Sequence, residues 1–208
     1  MFSICTAYIE EGKLEENLKE FAESEKKFTK EIGVIFRKFF QCKIQPHIIW
    51  SVTEWETEGA HHDAAQSIMK TRRDDRFASI AFGPDPYFEI FCNEEEPFKV
   101  GNFSKNHNYI IIVHGLISET ARDKYLELRK TRFEEVKEKF QWISVYHNKY
   151  NSNEFMVFMG FESEEYFNSI RKIDDFFLEE YIFTGLRNPL GMSYIASYNQ
   201  FICKPINF

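Results

Sequence analysis

Apolar residues recur along this chain in two alternating rhythms. Phe2-Ser3-Ile4-Cys5-Thr6-Ala7-Tyr8-Ile9 is a short run rich in β-branched and aromatic residues, which predicts a strand. Leu14, Leu18, Phe21, Phe28 and Ile32 then fall at helical spacing among Lys and Glu, as in a helix lying on a sheet. Phe36 to Ile44 and His47 to Trp55 read as two strands joined by the polar turn Gln45-Pro46. Thr57 follows as a helix cap, with Glu58 suited to the positive helix start. Gly83-Pro84-Asp85-Pro86 breaks the chain before a last strand, Tyr87 to Cys92.

The second half repeats this order. Tyr109 to Leu116 matches the first strand, and Ala121, Tyr125, Leu128, Val136 and Phe140 mark a helix. Trp142 to Tyr150 and Asn153 to Phe161 form the second hairpin, closed at Asn151-Ser152. Phe161-Glu162-Ser163-Glu164 answers Trp55-Glu56-Thr57-Glu58 as strand end, cap and acid. Asn188-Pro189-Leu190-Gly191 precedes a final strand, Ser193 to Cys203. Strand, helix, strand, strand, helix, strand, performed twice, predicts an α+β protein of two tandem ferredoxin-like repeats. The expected boundaries are 1–94 for the first repeat, 95–107 for a linker and 108–208 for the second. Each sheet has a helix-free face carrying aromatics such as Phe36, Phe40, Trp50, Trp142 and Tyr146. Packing those faces together as an α/β barrel is the expected way to bury them.

Composition narrows the function classes. The 208 residues are 43% hydrophobic and include 23 Phe, ample for a large core. Net charge is −7, and Lys70, Arg72, Arg73 and Arg76 are balanced by Asp74 and Asp75, which argues against nucleic-acid binding. No apolar run approaches the roughly 20 residues of a membrane span, and Met1-Phe2-Ser3 runs straight into a strand without a basic leader. Cys5, Cys42, Cys92 and Cys203 form no Cys-x-x-Cys pair, so buried free thiols in a reducing cytoplasm are expected.

The segment Trp55-Glu56-Thr57-Glu58-Gly59-Ala60-His61-His62-Asp63-Ala64-Ala65-Gln66-Ser67 resembles the signature of the antibiotic-biosynthesis monooxygenase-like family. The resemblance covers about the first 92 residues and is weaker in the second half. It implies a dimeric α/β-barrel fold, here made as a monomeric barrel from one chain or as a homodimer. It also implies a cofactor-free monooxygenase or isomerase acting on a small aromatic or quinone-like compound. A base removes a phenolic proton, and the substrate anion itself reduces oxygen. Haem-degrading members place a Trp where this chain has Ala64, an iron-ligating His near Asp74 and an Asn around Ala7. The matching second-repeat positions are Ile170, Glu180 and His114, so neither half carries that set. No cofactor is expected. The rival readings are a non-catalytic ligand-binding or oligomerisation module, and a haem-binding protein without haem-degrading activity.

His114 interrupts the apolar run Ile110-Ile111-Ile112-Val113 and is the first candidate base. Glu54, an acid within an apolar strand, is the second, since burial would raise its pKa. Tyr8, Trp50, Trp55, His61 and Trp142 are the expected ligand contacts, offering flat rings and polar tips. His61-His62-Asp63 is not expected to bind metal, because neighbouring side chains on a helix point about 100° apart.

Overall fold

The computed structural model describes residues 1–26, 32–72, 87–94, 98–103, 106–173 and 195–206. The breaks expected at Gly83–Pro86 and Asn188–Gly191 lie outside them. The chain divides into two units: Met1–Cys92 with Pro205–Phe208, and Asn93–Lys204.

The first unit contains β1 (Phe2–Tyr8), α1 (Leu14–Glu25), β2 (Val34–Cys42), β3 (Ile48–Trp55), α2 (Glu58–Arg72) and β4 (Tyr87–Glu94). The second contains β5 (Tyr109–Ile117), α3 (Arg122–Val136), β6 (Trp142–Asn148), β7 (Glu154–Phe161), α4 (Glu164–Ile173) and all but the last two residues of β8 (Ile195–Ile206). The fold is therefore α+β, with the expected element order in each unit. Each sheet is antiparallel, ordered β4-β1-β3-β2 in the first unit and β8-β5-β7-β6 in the second. Some strand ends move: β2 opens at Val34 rather than Phe36, β6 closes at Asn148 rather than Tyr150, and β8 runs on to Ile206.

Alternation decides where each side chain goes. In the first unit Ala7, Phe39 and Ile49 pack with Phe21 of α1, and Val34 and Trp55 pack with Ala64 of α2. In the second, Ile111, Val113, Phe155 and Val157 pack with Tyr125 and Phe133 of α3 and Phe167 of α4. The predicted caps form. Thr57 Oγ1 accepts from the Ala60 N–H at 3.0 Å, and Ser163 Oγ from the Tyr166 N–H at 3.1 Å. Gly33 opens β2 with φ +80, and a Cβ there would lie 2.5 Å from Ala60 Cβ. Glycine at this position lets α2 lie close on the sheet.

The expected pairing of Phe2 with Tyr109 is corrected by the register. Thr6 opposes Trp50, and His114 opposes Met156. With Trp55 matched to Phe161, Trp50 corresponds to Met156, so Thr6 corresponds to His114. The equivalence of Ala7 with His114 implied by the sequence does not hold, because Ala7 lies on the helix side of its sheet. A slip of one residue moves a side chain to the opposite face, and the sequence pattern alone did not exclude it.

Phe98, Val100 and His107, from the expected linker, pack within the second unit. Phe98 meets Phe133 with centroids 5.4 Å apart, Val100 bridges to Ile143, and the His107 and Trp142 rings lie nearly parallel at 6.1 Å. Trp142 lies so close to Gly160 that an added Cβ would stand 2.6 Å from Trp142 Cε3 and 3.1 Å from His107 Cγ. Burial holds the His107 pKa below its ordinary value. Gly160→Ala is expected to lower unfolding free energy by about 1–3 kcal/mol through overpacking. An unchanged urea midpoint would contradict this packing.

Candidate functional site

The helix-free face of the second unit carries Ile110, Ile112, His114 and Leu116 from β5. Met156 and Phe158 of β7 and Trp142, Ser144, Tyr146 and Asn148 of β6 share it. Most of these are hydrophobic and buried, so the polar groups among them require partners. His114 Nε2 stands 2.6 Å from Glu154 Oε1, and Asn148 Nδ2 donates to Glu154 Oε2 at 2.5 Å.

Local turn chemistry places this acid. Asn148, at the end of β6, accepts the Tyr150 N–H on its Oδ1 at 2.9 Å while its Nδ2 turns to Glu154. Asn151 Oδ1 accepts the Asn153 N–H at 3.2 Å, and Asn151 O accepts the Glu154 N–H at 2.9 Å. These asparagine turns bring the chain back so that Glu154 opens β7 beside the imidazole.

The hydrogen bond from His114 lowers the Glu154 pKa, and burial works against it. The Asn148 bond and the His114 charge add to the lowering, so the carboxyl lies below its ordinary value. With an ionised carboxylate as acceptor, Nε2 carries the proton. A ring that donates from Nε2 and carries no second proton has its lone pair on Nδ1. A base oriented by an acid, itself held by an amide, can accept a proton from a bound hydroxyl.

The first unit has its own His–Glu pair, on the other side of its sheet. His61 of α2 stands 3.1 Å from Glu89 Oε1 of β4, and Cys5 Sγ donates to the same oxygen at 3.4 Å. The His61 ring meets Trp55 and Phe91 edge-on, at 5.0 and 4.8 Å. Trp55 Nε1 donates to Ser3 Oγ at 3.0 Å. Burial pushes the Glu89 carboxyl up, but bonds from His61, Cys5 and Ser3, together with the His61 charge, outweigh it and leave the pKa lowered. Two expected ligand contacts, Trp55 and His61, are thus joined beneath α2, in contact with packed groups.

Trp50, Glu54 and Tyr8 lie on the helix-free face of the first sheet. Trp50 is buried, Glu54 is half-buried opposite Phe2 and Phe36, and Tyr8 is exposed. Trp142 bonds to Ser144 Oγ at 3.2 Å and packs with Phe103, His107 and Phe158. Among the described residues no group of three His, Cys, Asp or Glu side chains is arranged to hold a metal ion. All four cysteines are free and buried, as expected. No described helix is long and apolar enough to cross a membrane.

Sequence reasoning missed Glu154, Asn148 and Glu89. Glu154 is visible as an acid opening an apolar strand after an Asn-rich turn. Only the β5–β7 register, however, brings it to His114.

No protein-family model matches the chain, and no curated protein matches it. Solved structures do match over nearly its whole length. It is similar to a candidate monooxygenase from Fusobacterium nucleatum, with a TM-score of 0.70, 11% identity, and coverage of 99% of this chain and 92% of that one. It is similar to an anthrone oxidase-like protein, with a TM-score of 0.64, 8% identity and coverage of 99% and 91%. It is also similar to a ferredoxin-fold protein related to antibiotic biosynthesis monooxygenases from Listeria monocytogenes, with a TM-score of 0.55, 11% identity and coverage of 100% and 96%. The fold is that of these monooxygenase-related ferredoxin-like proteins.

The lowered Glu154 pKa fixes the sign of a pH effect. Its ionised form stabilises the fold above the unfolded value near 4.3, and that contribution is lost as pH falls through the lower folded value. Relative to Glu154→Gln, wild type is expected to be more stable by about 1 kcal/mol at pH 7. The advantage should shrink below about pH 4. Urea titrations of both proteins from pH 7 to pH 3 would test this, and a pH-independent difference would refute it.

Proposed function

We propose that this chain is a cofactor-free, monooxygenase-like protein acting on a small aromatic or quinone-like compound, with His114 as the base. The observation that carries the reading is the Asn148–Glu154–His114 relay on the helix-free face of the second sheet. The likeness to a candidate monooxygenase and to an anthrone oxidase-like protein supports the reaction class. A phenolic proton passes to His114 Nδ1, Glu154 stabilises the imidazolium that forms, and the substrate anion delivers an electron to oxygen. The surrounding hydrophobic residues keep water from the anion.

Glu54 is the second nominated base, with Trp50 and Tyr8 as ring and hydroxyl contacts on the first unit's helix-free face. We assign Trp55, His61 and Trp142 to packing on the contacts described above. The four buried thiols support a reducing compartment such as the cytoplasm. The negative charge supports the absence of a nucleic-acid partner. The repeated element order supports descent from a tandem duplication, acting as a monomer or a homodimer. A native mass spectrum distinguishes those two states.

A second reading, ligand binding without turnover, draws on how completely Phe40, Trp50 and Phe158 are buried on these faces. Oxygen uptake with a panel of quinols and anthrones separates the two. Turnover is expected, with His114→Ala reducing the rate by about 10²-fold or more. A flat trace with every compound would defeat the oxygenase reading.

A further inference from the structure

We infer that Asn199 is the positioning residue beside the His114 base, and that the ligand it selects pairs a hydroxyl with a nearby carbonyl oxygen. This rests on the reading of His114 given above. Asn199 of β8 lies directly opposite His114 of β5 in the antiparallel register. Such partners hold their Cβ atoms about 4.5–5.5 Å apart on the same face. Glu154 and Met156 flank His114 on the other side, from β7. That flank is closed, since Met156 is fully buried and the β6 residue beyond it, Tyr146, is 3% exposed. The β8 flank is open: Asn199 is exposed, and Leu116 of β5 is 37% exposed. The more exposed side of His114 on this sheet is therefore the one that Asn199 occupies.

The chemistry of the two groups is complementary. The neutral imidazole accepts a proton, and the amide offers two N–H donors. A hydroxyl on His114 and a carbonyl on Asn199 would be held together. As the proton leaves, negative charge delocalised onto the carbonyl oxygen would meet the amide donors. The Asn199 side chain makes no hydrogen bond among the described residues, in contrast to Asn148, which is committed to Glu154 and to the turn. Comparison of the two units points the same way. Where the second unit has His114, Glu154 and Asn199, the register gives the first unit Thr6, Ile48 and Phe88. The polar set thus belongs to one unit only.

The test uses the full chain and a shape-matched pair of probes, 3-hydroxyacetophenone and 3-ethylphenol, which differ in having a carbonyl or a methylene. Dissociation constants are measured by NMR titration for wild type, Asn199→Ala and His114→Ala. Wild type is expected to bind the ketone several-fold more tightly than the ethylphenol, the size of one hydrogen bond. Asn199→Ala should abolish that preference while leaving ethylphenol binding unchanged, and His114→Ala should weaken both probes. If His114→Ala weakens both but Asn199→Ala alters neither, the Asn199 assignment falls and the His114 reading stands. If wild type binds neither probe at millimolar concentration, or His114→Ala changes nothing, both fall.

Discussion

The pleat of the antiparallel sheet is the constraint on which this molecule depends. Each sheet has a helix-covered face and a helix-free face, and successive residues of a strand belong to different ones. In β5, Ile111 and Val113 meet the helices while Ile112 and His114 do not. In β3, Ile49 and Trp55 lie under helices, whereas Trp50 and Glu54 do not. Shifting a strand by one residue would place His114 beneath α3 and α4 and move an isoleucine out in its place. The chemistry is thus a consequence of register, and register is held by the hydrophobic contacts on the opposite side.

Two carboxylates show what that placement costs. Each is partly removed from water, and an ionised carboxyl in such a setting needs donors. Glu89 gathers three, from His61, Cys5 and Ser3, and they hold its pKa down against a burial effect larger than any one of them. Glu154 has two donor groups, with the His114 bond the largest influence on it. The first pair ties α2 to its sheet within a ring cluster. The second stands where an exposed asparagine and a partly exposed leucine adjoin it. The same pair of residue types is packed beneath a helix in one setting and stands on the helix-free face in the other.

Much of the fold was legible in the sequence because its signals are local. Thr57 and Ser163 announce helix starts by their own hydrogen-bonding capacity, and both make the predicted caps. That His114 needs a polar partner was legible too, since a polar ring stands within an isoleucine run. Glu154 was not, because β5 and β7 are not consecutive strands and their pairing is fixed by contacts between distant segments. The side of the sheet that Trp55 takes was not legible, for a related reason. Indole chemistry suggests recognition, but the parity it shares with Ser51 and Thr53 puts it on the helix side, bonded to Ser3. The match of Ala7 to His114 failed on the same ground, a parity that composition does not reveal.

The likeness to monooxygenase-related structures at 8–11% identity speaks to backbone, and backbone alone does not select a reaction. What distinguishes this chain is the asymmetry between its own two units. They share element order and strand order, yet the places of His114, Glu154 and Asn199 are taken in the first unit by Thr6, Ile48 and Phe88. An acid–imidazole pair on a largely apolar face needs Asn148 and a turn of two further asparagine-capped bonds to hold it, whereas the first unit fills the same places with one small hydroxyl residue, one aliphatic and one aromatic. On the function proposed above, a ligand is what the polar set serves in the unit where an exposed asparagine adjoins it.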